Sequence, residues 1–359
     1  MPGESANRPA LWRAASALSL RQRSGGHAII CCMILVTGAT GFIGRALLGQ
    51  LLETGQEVRV MIRPSRRSPR LPKGLAIDVA VASLADERSI RAALKGIDVV
   101  VHLAGAEWQG RNADLLTVDM QGTETLARAA ADARVKRLVT VSHLGASRSS
   151  GYPVFKAKGV AEEHIRRSGV PYTILRSALV FGPEDHFTTS IVSLLRVSPL
   201  FFPLPLSSRT VLQPIWVDDL VTALLWSLDD QAAVNRTYEI GGSEFFTARQ
   251  IVETIMQASQ RPHLLFELHP VLLRALIVSL ESFIPHFPVS SFWLDYIAVS
   301  RTCAVENLPR SLGLMPARFT YRLEYLRRKP WYTAALSSLS ERTSETTRRV
   351  LESIRLFHP

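Results

Sequence analysis

The stretch "MILVTGATGFIGRALLGQLLETG", residues 33–55, joins a short β-rich run to a helical pattern through a glycine-rich turn. Gly38, Gly41 and Gly44 follow the spacing Gly-x-x-Gly-x-x-Gly. In this spacing the first glycine permits a tight turn, the second lets the backbone approach a pyrophosphate, and the third lets the helix pack on the strand. The helix N-terminus then offers free N–H groups to phosphates. Because a strand precedes the turn and a helix follows it, the stretch predicts a dinucleotide-binding site.

The next strand-like stretch, "EVRVMIRPSRR" (57–67), bears on the choice of dinucleotide. An NAD site usually has an acid here for the ribose 2′-hydroxyl. This chain has Arg63, Ser65, Arg66 and Arg67 instead. Since a guanidinium suits a 2′-phosphate, the stretch favours NADP(H) over NAD(H). The alternative is a solvated basic loop.

Strand-like and helix-like segments continue to alternate between residues 33 and 146. Such alternation is typical of βαβ units, in which parallel strands are covered by helices on both faces. The sequence therefore predicts an α/β fold with a doubly wound parallel Rossmann sheet.

The composition limits the partners and the compartment. The net charge is +11, but no basic stripe alternates with aromatic residues, so we expect scattered arginine and no nucleic-acid partner. Three cysteines allow no disulfide framework and fit a reducing, cytoplasmic location. No apolar run reaches the ~18–20 residues that a spanning helix needs. The stretch 269–288 is predicted to be a buried or interfacial helix, which keeps peripheral membrane contact open.

The chain resembles the extended and atypical short-chain dehydrogenase/reductase superfamily over about residues 33–330. The resemblance is carried by five motifs: "TGATGFIG" (37–44), "HLAG" (102–105), "VTVSHLGAS" (139–147), "AEEHIRRSGVPYTILRSALVFGPED" (161–185) and "LQPIWVDDLVTAL" (212–224). It is similar to the branch that includes the Rossmann-type accessory subunit of respiratory complex I. The resemblance implies an NAD(P)-binding domain at 33–178 and a smaller, interleaved α/β substrate domain, mainly 179–330, to which the strand near Arg236–Ile240 belongs. Residues 1–32 are expected to be a disordered extension or mis-assigned start, or else a weak transit peptide, and 331–359 a helical or disordered tail.

The resemblance also implies roles for individual residues. The phosphate turn corresponds to Gly38, Thr40, Gly41, Phe42, Ile43 and Gly44. Arg63 matches the 2′-phosphate position, Ala104 and Gly105 match the strand end beside the cofactor ribose, and Ser142 matches the serine that supports catalysis. Four of the positions that depart from the pattern are His143, Ser83, Asp119 and Ser177, which stand where the superfamily often has a serine, an aspartate, an asparagine and a proline.

The catalytic Tyr-x-x-x-Lys pair of this superfamily has two candidate registers here. Tyr152 and Lys156 have the spacing, but the distances to Glu162 and Arg176 match the superfamily only for Lys158. A helix that begins at 153 also puts Lys158 at the edge of its apolar side and Lys156 on the solvated side. We therefore assign the ribose-binding role to Lys158.

This register leaves the proton donor in question, since the tyrosine position falls on Val154. Tyr152 supplies the donor if the helix start is unwound, and otherwise it is a capping or surface residue. His143 is another candidate, because histidine titrates near neutral pH. Farther along, Trp293, Tyr296, Arg301 and Arg318 indicate either a site for a bulky ligand or packing of the smaller domain.

The leading prediction is an NAD(P)H-binding short-chain dehydrogenase-like oxidoreductase that acts on an apolar substrate. The first alternative is a non-catalytic NAD(P)H-binding protein that serves in a respiratory or photosynthetic assembly or as a redox sensor. The second alternative is a sugar-nucleotide epimerase or dehydratase.

Overall fold

The computed structural model describes residues 32–65, 77–198, 200–205, 210–283, 289 and 291–327. Arg66, Arg67, the segment 1–31 and the tail 331–359 lie outside these residues, and so do the expectations that concern them.

The described strands are β1 (Ile34–Thr37), β2 (Val58–Ile62), β3 (Asp78–Val81), β4 (Val99–His102), β5 (Arg137–His143), β6 (Tyr172–Ser177), β7 (Val180–Phe181), β8 (Phe201–Pro205), β9 (Val211–Leu212), β10 (Ile215–Trp216), β11 (Arg236–Ile240), β12 (Phe246–Thr247) and β13 (Leu264–Leu268). The described α-helices are α1 (Phe42–Glu53), α2 (Glu87–Ala93), α3 (Gly122–Asp132), α4 (Pro153–Arg167), α5 (Thr188–Val197), α6 (Val217–Asp229), α7 (Ala248–Ser259), α8 (Pro270–Phe283), α9 (Ser291–Ala298) and α10 (Asn307–Leu312). Between β4 and α3 lie a 3₁₀ turn (Glu107–Asn112) and a π-helical segment (Leu115–Gln121).

Seven parallel strands form the central sheet in the order β3-β2-β1-β4-β5-β6-β11. Both faces of this sheet are buried, as strand β1 shows. Ile34 and Val36 pack into the core on one face with α1 and α6 residues, whereas Leu35 packs into the core on the other face with Ile90 and Leu126. The predicted doubly wound parallel sheet is therefore confirmed.

One strand lies in a different place from the one expected. The segment Arg236–Ile240, assigned from the resemblance to the substrate domain, is β11 and pairs with β6 at the edge of the central sheet. It covers N–H and C=O groups of β6 that would otherwise form an open sheet edge. The remaining short strands pair two by two, β7 with β10, β9 with β12 and β8 with β13.

Helix α8 has an unusual surface. It buries Leu273 and Ile277 but exposes Val271, Leu272 and Phe283. In the part of the chain that the structure describes, neither α8 nor another helix combines the length and the apolar character that crossing a membrane requires.

Candidate functional site

The strand order of the central sheet locates the ligand crevice. The chain runs outward from β1 through β2 to β3 and then returns to start the other half at β4. In open parallel sheets the ligand binds at this reversal, beyond the carboxyl ends of the strands. Gly38, Leu103 and His143 all lie at or just beyond these strand ends.

The glycine turn between β1 and α1 is built for close backbone approach. Gly38 has φ +72°, and a β-carbon there would lie 2.5 Å from the Leu103 carbonyl carbon. A β-carbon at Gly44 would lie 2.2 Å from the Gly38 carbonyl oxygen, so helix and turn touch through backbone atoms. Gly41 precedes the first residue of α1, Phe42, and no side chain caps this helix. The exposed helix N-terminus fits a dinucleotide pyrophosphate.

The other predicted cofactor residues of this half lie around the turn. Thr40 is exposed and Ile43 is half-buried. Arg45 donates to the Thr40 carbonyl at 2.7 Å and pairs with Glu184 at 2.7 Å, so it joins the turn to the loop that follows β7. Arg63 is exposed directly after β2, at the same edge of the sheet.

His102 holds the sheet together beneath the site. Its Nδ1 lies 2.7 Å from the Thr37 hydroxyl, and its Nε2 lies 3.0 Å from the Thr123 hydroxyl. Burial lowers the pKa of His102 to about 3, and the nearby charge of Lys158 acts in the same direction. The ring is therefore neutral at physiological pH and links β1, β4 and α3 as a structural element.

Lys158 reaches from α4 into the crevice. Its Nζ lies 2.9 Å from Asp119 Oδ1 and 3.4 Å from Glu107 Oε2. Burial alone would lower the pKa of Lys158, but the charges of Asp119 and Glu107 outweigh burial and raise it above the ordinary lysine value. A β-carbon at Gly105 would lie 3.1 Å from this Nζ, so Gly105 keeps the ammonium group uncovered on that side. Ala104 is half-buried beside Gly105, and Lys156 is exposed.

A second cluster of polar groups adjoins Lys158. Glu107 Oε2 lies 3.1 Å from His143 Nε2, and the Tyr296 hydroxyl lies 2.9 Å from the same nitrogen. Burial would raise the pKa of Glu107, but Lys158 and then His143 outweigh it and hold that pKa well below the ordinary range. Burial, followed by the charge of Glu107, raises the pKa of the Tyr296 phenol well above its ordinary value. Tyr296, His143, Glu107, Lys158 and Asp119 thus form one continuous chain of polar contacts.

The other candidate catalytic residues lie outside this chain of contacts. Val154 is 1% exposed and packs in the core. Tyr152 is the residue before α4, and its ring lies edge-on to that of Phe155 with centroids 6.2 Å apart. Ser142 is buried and lines a small cavity together with Lys158 and Glu162.

Sequence reasoning missed two members of the chain of contacts. Glu107 lies two residues beyond "HLAG", and that proximity to a strand end was the available signal. Tyr296 was noted for its aromatic ring, without a polar role. It comes from α9, and its ring stacks on Trp108 with centroids 4.9 Å apart. Among the described residues no group of three or more His, Cys, Asp or Glu side chains is placed to hold a metal ion.

Comparison with known proteins agrees with this geometry. Residues 38–190 match the protein family described as NAD(P)H-binding. This segment is therefore an NAD(P)H-binding domain, and the chain has the Rossmann fold of solved epimerase and short-chain dehydrogenase/reductase structures. The sterically closed glycine positions and the Lys158 ammonium group, whose side chain is 13% exposed, fit a dinucleotide at this site.

Three curated proteins and one solved structure are similar to this chain. The chain is 34% identical over 240 residues to NADH dehydrogenase (ubiquinone) 1 alpha subcomplex subunit 9, mitochondrial, of Arabidopsis thaliana. The alignment covers 65% of this chain and 60% of that protein. It is 28% identical over 333 residues to the subunit of the same name from Mus musculus, covering 89% and 86%. It is 30% identical over 195 residues to the ceramide reductase of Caulobacter vibrioides, covering 54% and 60%. The alignments thus span less than two thirds of the Arabidopsis and Caulobacter proteins. UDP-glucose 4-epimerase from Thermotoga maritima superimposes with a TM-score of 0.61 at 20% identity, over 82% of this chain and 97% of that one.

Proposed function

We propose that the protein is an NADP(H)-dependent oxidoreductase that interconverts a carbonyl and an alcohol on a substrate with an apolar body, with Tyr296 as the proton donor. The observation that supports it is the chain of polar contacts from the Tyr296 hydroxyl through His143 and Glu107 to Lys158. The Tyr296 hydroxyl belongs to the same cluster of polar contacts as Lys158, whereas Val154 on α4 has no O–H group. The name of the Caulobacter relative, a ceramide reductase, is consistent with a reductase of an apolar compound.

Each residue has a distinct role in this proposal. The bound dinucleotide supplies or accepts the hydride. The glycine turn binds the pyrophosphate, Arg63 binds the 2′-phosphate, and Lys158 binds the ribose hydroxyls. Asp119 and Glu107 keep Lys158 charged. The Tyr296 O–H donates its proton to the oxygen that gains the electron pair of the carbonyl, and a proton from solvent replaces it through His143 and Glu107.

The role of Tyr296 agrees with its environment. Burial raises the pKa of the Tyr296 phenol, so it is protonated at neutral pH but weakly acidic, and in this proposal it gives up its proton because the substrate oxygen becomes strongly basic as hydride reaches the carbonyl carbon. Its neighbour Glu107 is 12% exposed, which gives the cluster contact with water for proton exchange. In this proposal the donor comes from the 179–330 segment and the nucleotide turn from the 33–178 segment, so the site needs both.

Cofactor preference is tested first, by fluorescence titration of the protein with NADPH and with NADH. We expect NADPH to bind more tightly than NADH. Arg63→Ala should weaken NADPH binding by about 10- to 100-fold, which is the range for loss of one charge-assisted hydrogen bond, and should leave NADH binding unchanged. Lys158→Ala should weaken both dinucleotides, and Lys156→Ala should weaken neither. Equal binding of NADPH and NADH would contradict the assignment of Arg63.

The proton donor is tested by two matched variants, Tyr296→Phe and Tyr152→Phe. The probe is the apolar quinone 9,10-phenanthrenequinone, with NADPH consumption followed by absorbance. Because a positioned general acid contributes typically ~10²–10⁴-fold, we expect Tyr296→Phe to lower kcat by at least about 10²-fold without weakening NADPH binding. Tyr152→Phe should retain wild-type kcat. The reverse pattern would assign the donor to the Tyr-x-x-x-Lys motif.

A non-catalytic assembly protein is the second candidate. Two observations favour it: the alignment with the mouse NADH dehydrogenase subunit covers 89% of this chain, and α8 exposes an apolar face. This candidate predicts tight dinucleotide binding with no turnover of the quinone by the wild type. It also predicts that charged substitutions at Val271 and Leu272 release the protein from a larger complex in the native cell extract.

A further inference from the structure

A buried arginine lies next to the proposed proton donor. Arg301 follows α9, and its backbone N–H donates to the Val211 carbonyl at 3.0 Å. Its side chain is among the largest fully buried ones that the structure describes, in a residue that is 2% exposed. The backbone of Arg301 is thus held beside β9, and its side chain lies in the interior.

This guanidinium has few polar partners. Its Nη2 donates to the Tyr296 carbonyl at 2.8 Å, whereas Nε and Nη1 are buried and make no hydrogen bond. No described carboxylate lies within ion-pair distance of Arg301. The buried Arg137 differs, because its terminal nitrogens donate to the Thr173 hydroxyl and to carbonyl oxygens, and Arg176 pairs with Glu162. An interior guanidinium with two unsatisfied nitrogens is unfavourable unless an acceptor binds there.

Arg301 carries a positive charge under physiological conditions. Burial lowers its pKa to about 10, and the opposing effects of Tyr296 and Glu107 limit that decrease. Its Cζ lies 4.6 Å from the centroid of the Tyr296 ring and 5.3 Å from that of Phe155. These cation–π contacts position the guanidinium without using its N–H groups.

The surroundings relate Arg301 to the reacting end of the site. The same Tyr296 ring that carries the proposed proton donor lies beneath the guanidinium. The neighbouring walls are aromatic, since Trp108 stacks on Tyr296 and the Phe155 ring lies 5.9 Å from it. Lys158 is balanced by Asp119 and Glu107, and Arg301 has no such direct partner.

We propose that Arg301 binds an anionic group, a carboxylate or a phosphate, on the apolar substrate. The substrate class is then an amphiphile. Its anionic group and the carbonyl or alcohol that reacts are separated by about the width of the Tyr296 ring, because the guanidinium and the hydroxyl group both lie at that ring. That this anion is part of a substrate rests on the proposed oxidoreductase function. Binding of the anion by Arg301 can be tested without turnover. A neutral compound offers the guanidinium no charged acceptor, so we expect the site to bind it more weakly than an anion of the same size.

Three ten-carbon probes test the site: decanoate, decyl phosphate and decanol, each below its micelle-forming concentration. Binding is measured by thermal shift and by tryptophan fluorescence on wild type, Arg301→Gln and Arg301→Lys. The matched control is Arg318→Gln, because Arg318 is an exposed arginine that also lies over a tyrosine ring, that of Tyr321, at 5.8 Å.

We expect wild type and Arg318→Gln to bind at least one anionic probe saturably and at least 10-fold more tightly than decanol. Preference between decanoate and decyl phosphate identifies the anion. Arg301→Gln should bind the anionic probe no more tightly than decanol. Arg301→Lys keeps the positive charge and should retain part of the preference for the anion. This variant also provides the test if Arg301→Gln does not fold. Equal binding of decanol and the anions, unchanged anion binding by Arg301→Gln, or no binding of either anion would each overturn the proposal.

Dinucleotide titration of the same proteins separates this proposal from the proposed function. Arg301→Gln should bind NADPH as the wild type does. If the wild type fails to bind NADPH but binds the anion through Arg301, the anion site stands and the oxidoreductase proposal falls. If the wild type binds NADPH but neither anion, the anion-site proposal falls and the oxidoreductase proposal stands.

Discussion

Replacing Lys158 with methionine removes the lysine cation from a buried cluster of charges and leaves the carboxylates of Asp119 and Glu107 without it. The Asp119 side chain is 1% exposed and that of Glu107 is 12% exposed, so water compensates little. Breaking a buried ion pair by removal of one partner costs about 3–5 kcal/mol. We expect the free energy of unfolding of Lys158→Met, measured by urea denaturation at about pH 7, to fall by that amount. Lys156→Met changes an exposed lysine two residues away and should stay within about 0.5 kcal/mol of wild type.

The pH dependence of this loss provides the stricter test. Glu107 has a depressed pKa in the folded protein, so its pairing stabilises the wild type above the ordinary glutamate pKa of about 4.3 and is lost as the pH falls through the lower folded value. In Lys158→Met the Glu107 carboxylate lacks this cation and takes up a proton at a higher pH than in the wild type. The difference in unfolding free energy between wild type and variant should therefore shrink as the pH is lowered from about 7 towards about 4. A penalty equal to that of Lys156→Met, or one that is constant over this range, would refute the reasoning.

Three further predictions concern the framework around the site. Gly44→Ala should lower the free energy of unfolding by at least about 1–3 kcal/mol, because its β-carbon would lie 2.2 Å from the Gly38 carbonyl oxygen. Gly49→Ala in the same helix meets no atom within 4 Å and should raise the free energy of unfolding by about 0.5–1 kcal/mol. Thermal melts of the two variants and the wild type measure both effects. The pKa of His102 is lowered to about 3, so the unfolded chain binds a proton below about pH 6.5 that the folded chain does not bind. The free energy of unfolding should therefore fall as the pH drops below about 6.5. In urea titrations at several pH values, His102→Gln should show a weaker dependence of the free energy of unfolding on pH. Thr247→Ala should cost about 1 kcal/mol in urea denaturation, because the Thr247 hydroxyl accepts from the Gln250 N–H at the start of α7, and Thr247→Ser should not.

The parts of the fold that the sequence predicts are those that depend on local patterns. Glycine sterics fix the turn after β1, and the alternation of strand-like and helix-like runs fixes the parallel sheet. The helical period of α4 separates Lys158 from Lys156, and the structure has Lys156 in solvent and Lys158 paired with Asp119. For the turn and for the two lysines the deciding residues lie within about two helical turns of one another, and the alternation is a series of such local segments, so no knowledge of distant contacts is needed.

The parts that sequence reasoning missed depend on long-range packing. Tyr296 and His143 are 153 positions apart in the chain, and no periodicity connects them. Glu107 gives no motif signal, because a single acid after a strand end occurs on many solvated loops. The strand β11 resembles its neighbours in composition, and its place beside β6 follows from edge pairing in three dimensions, not from its own residues.

The position of Tyr296 links the proposed chemistry to the packing of the second half of the chain. In the usual arrangement the tyrosine and lysine share one helix, so their separation is set by local geometry alone. Here Val154 is packed in the core and the hydroxyl group comes from α9, whose place depends on the Trp108–Tyr296 stack and on the Arg301 contact with the Tyr296 ring and carbonyl. An anion that binds Arg301 would therefore act on the same ring that positions the proton donor. In this proposal substrate recognition and proton donation depend on a single residue pair, and pairing of the substrate anion with the guanidinium would offset the cost of burying Arg301.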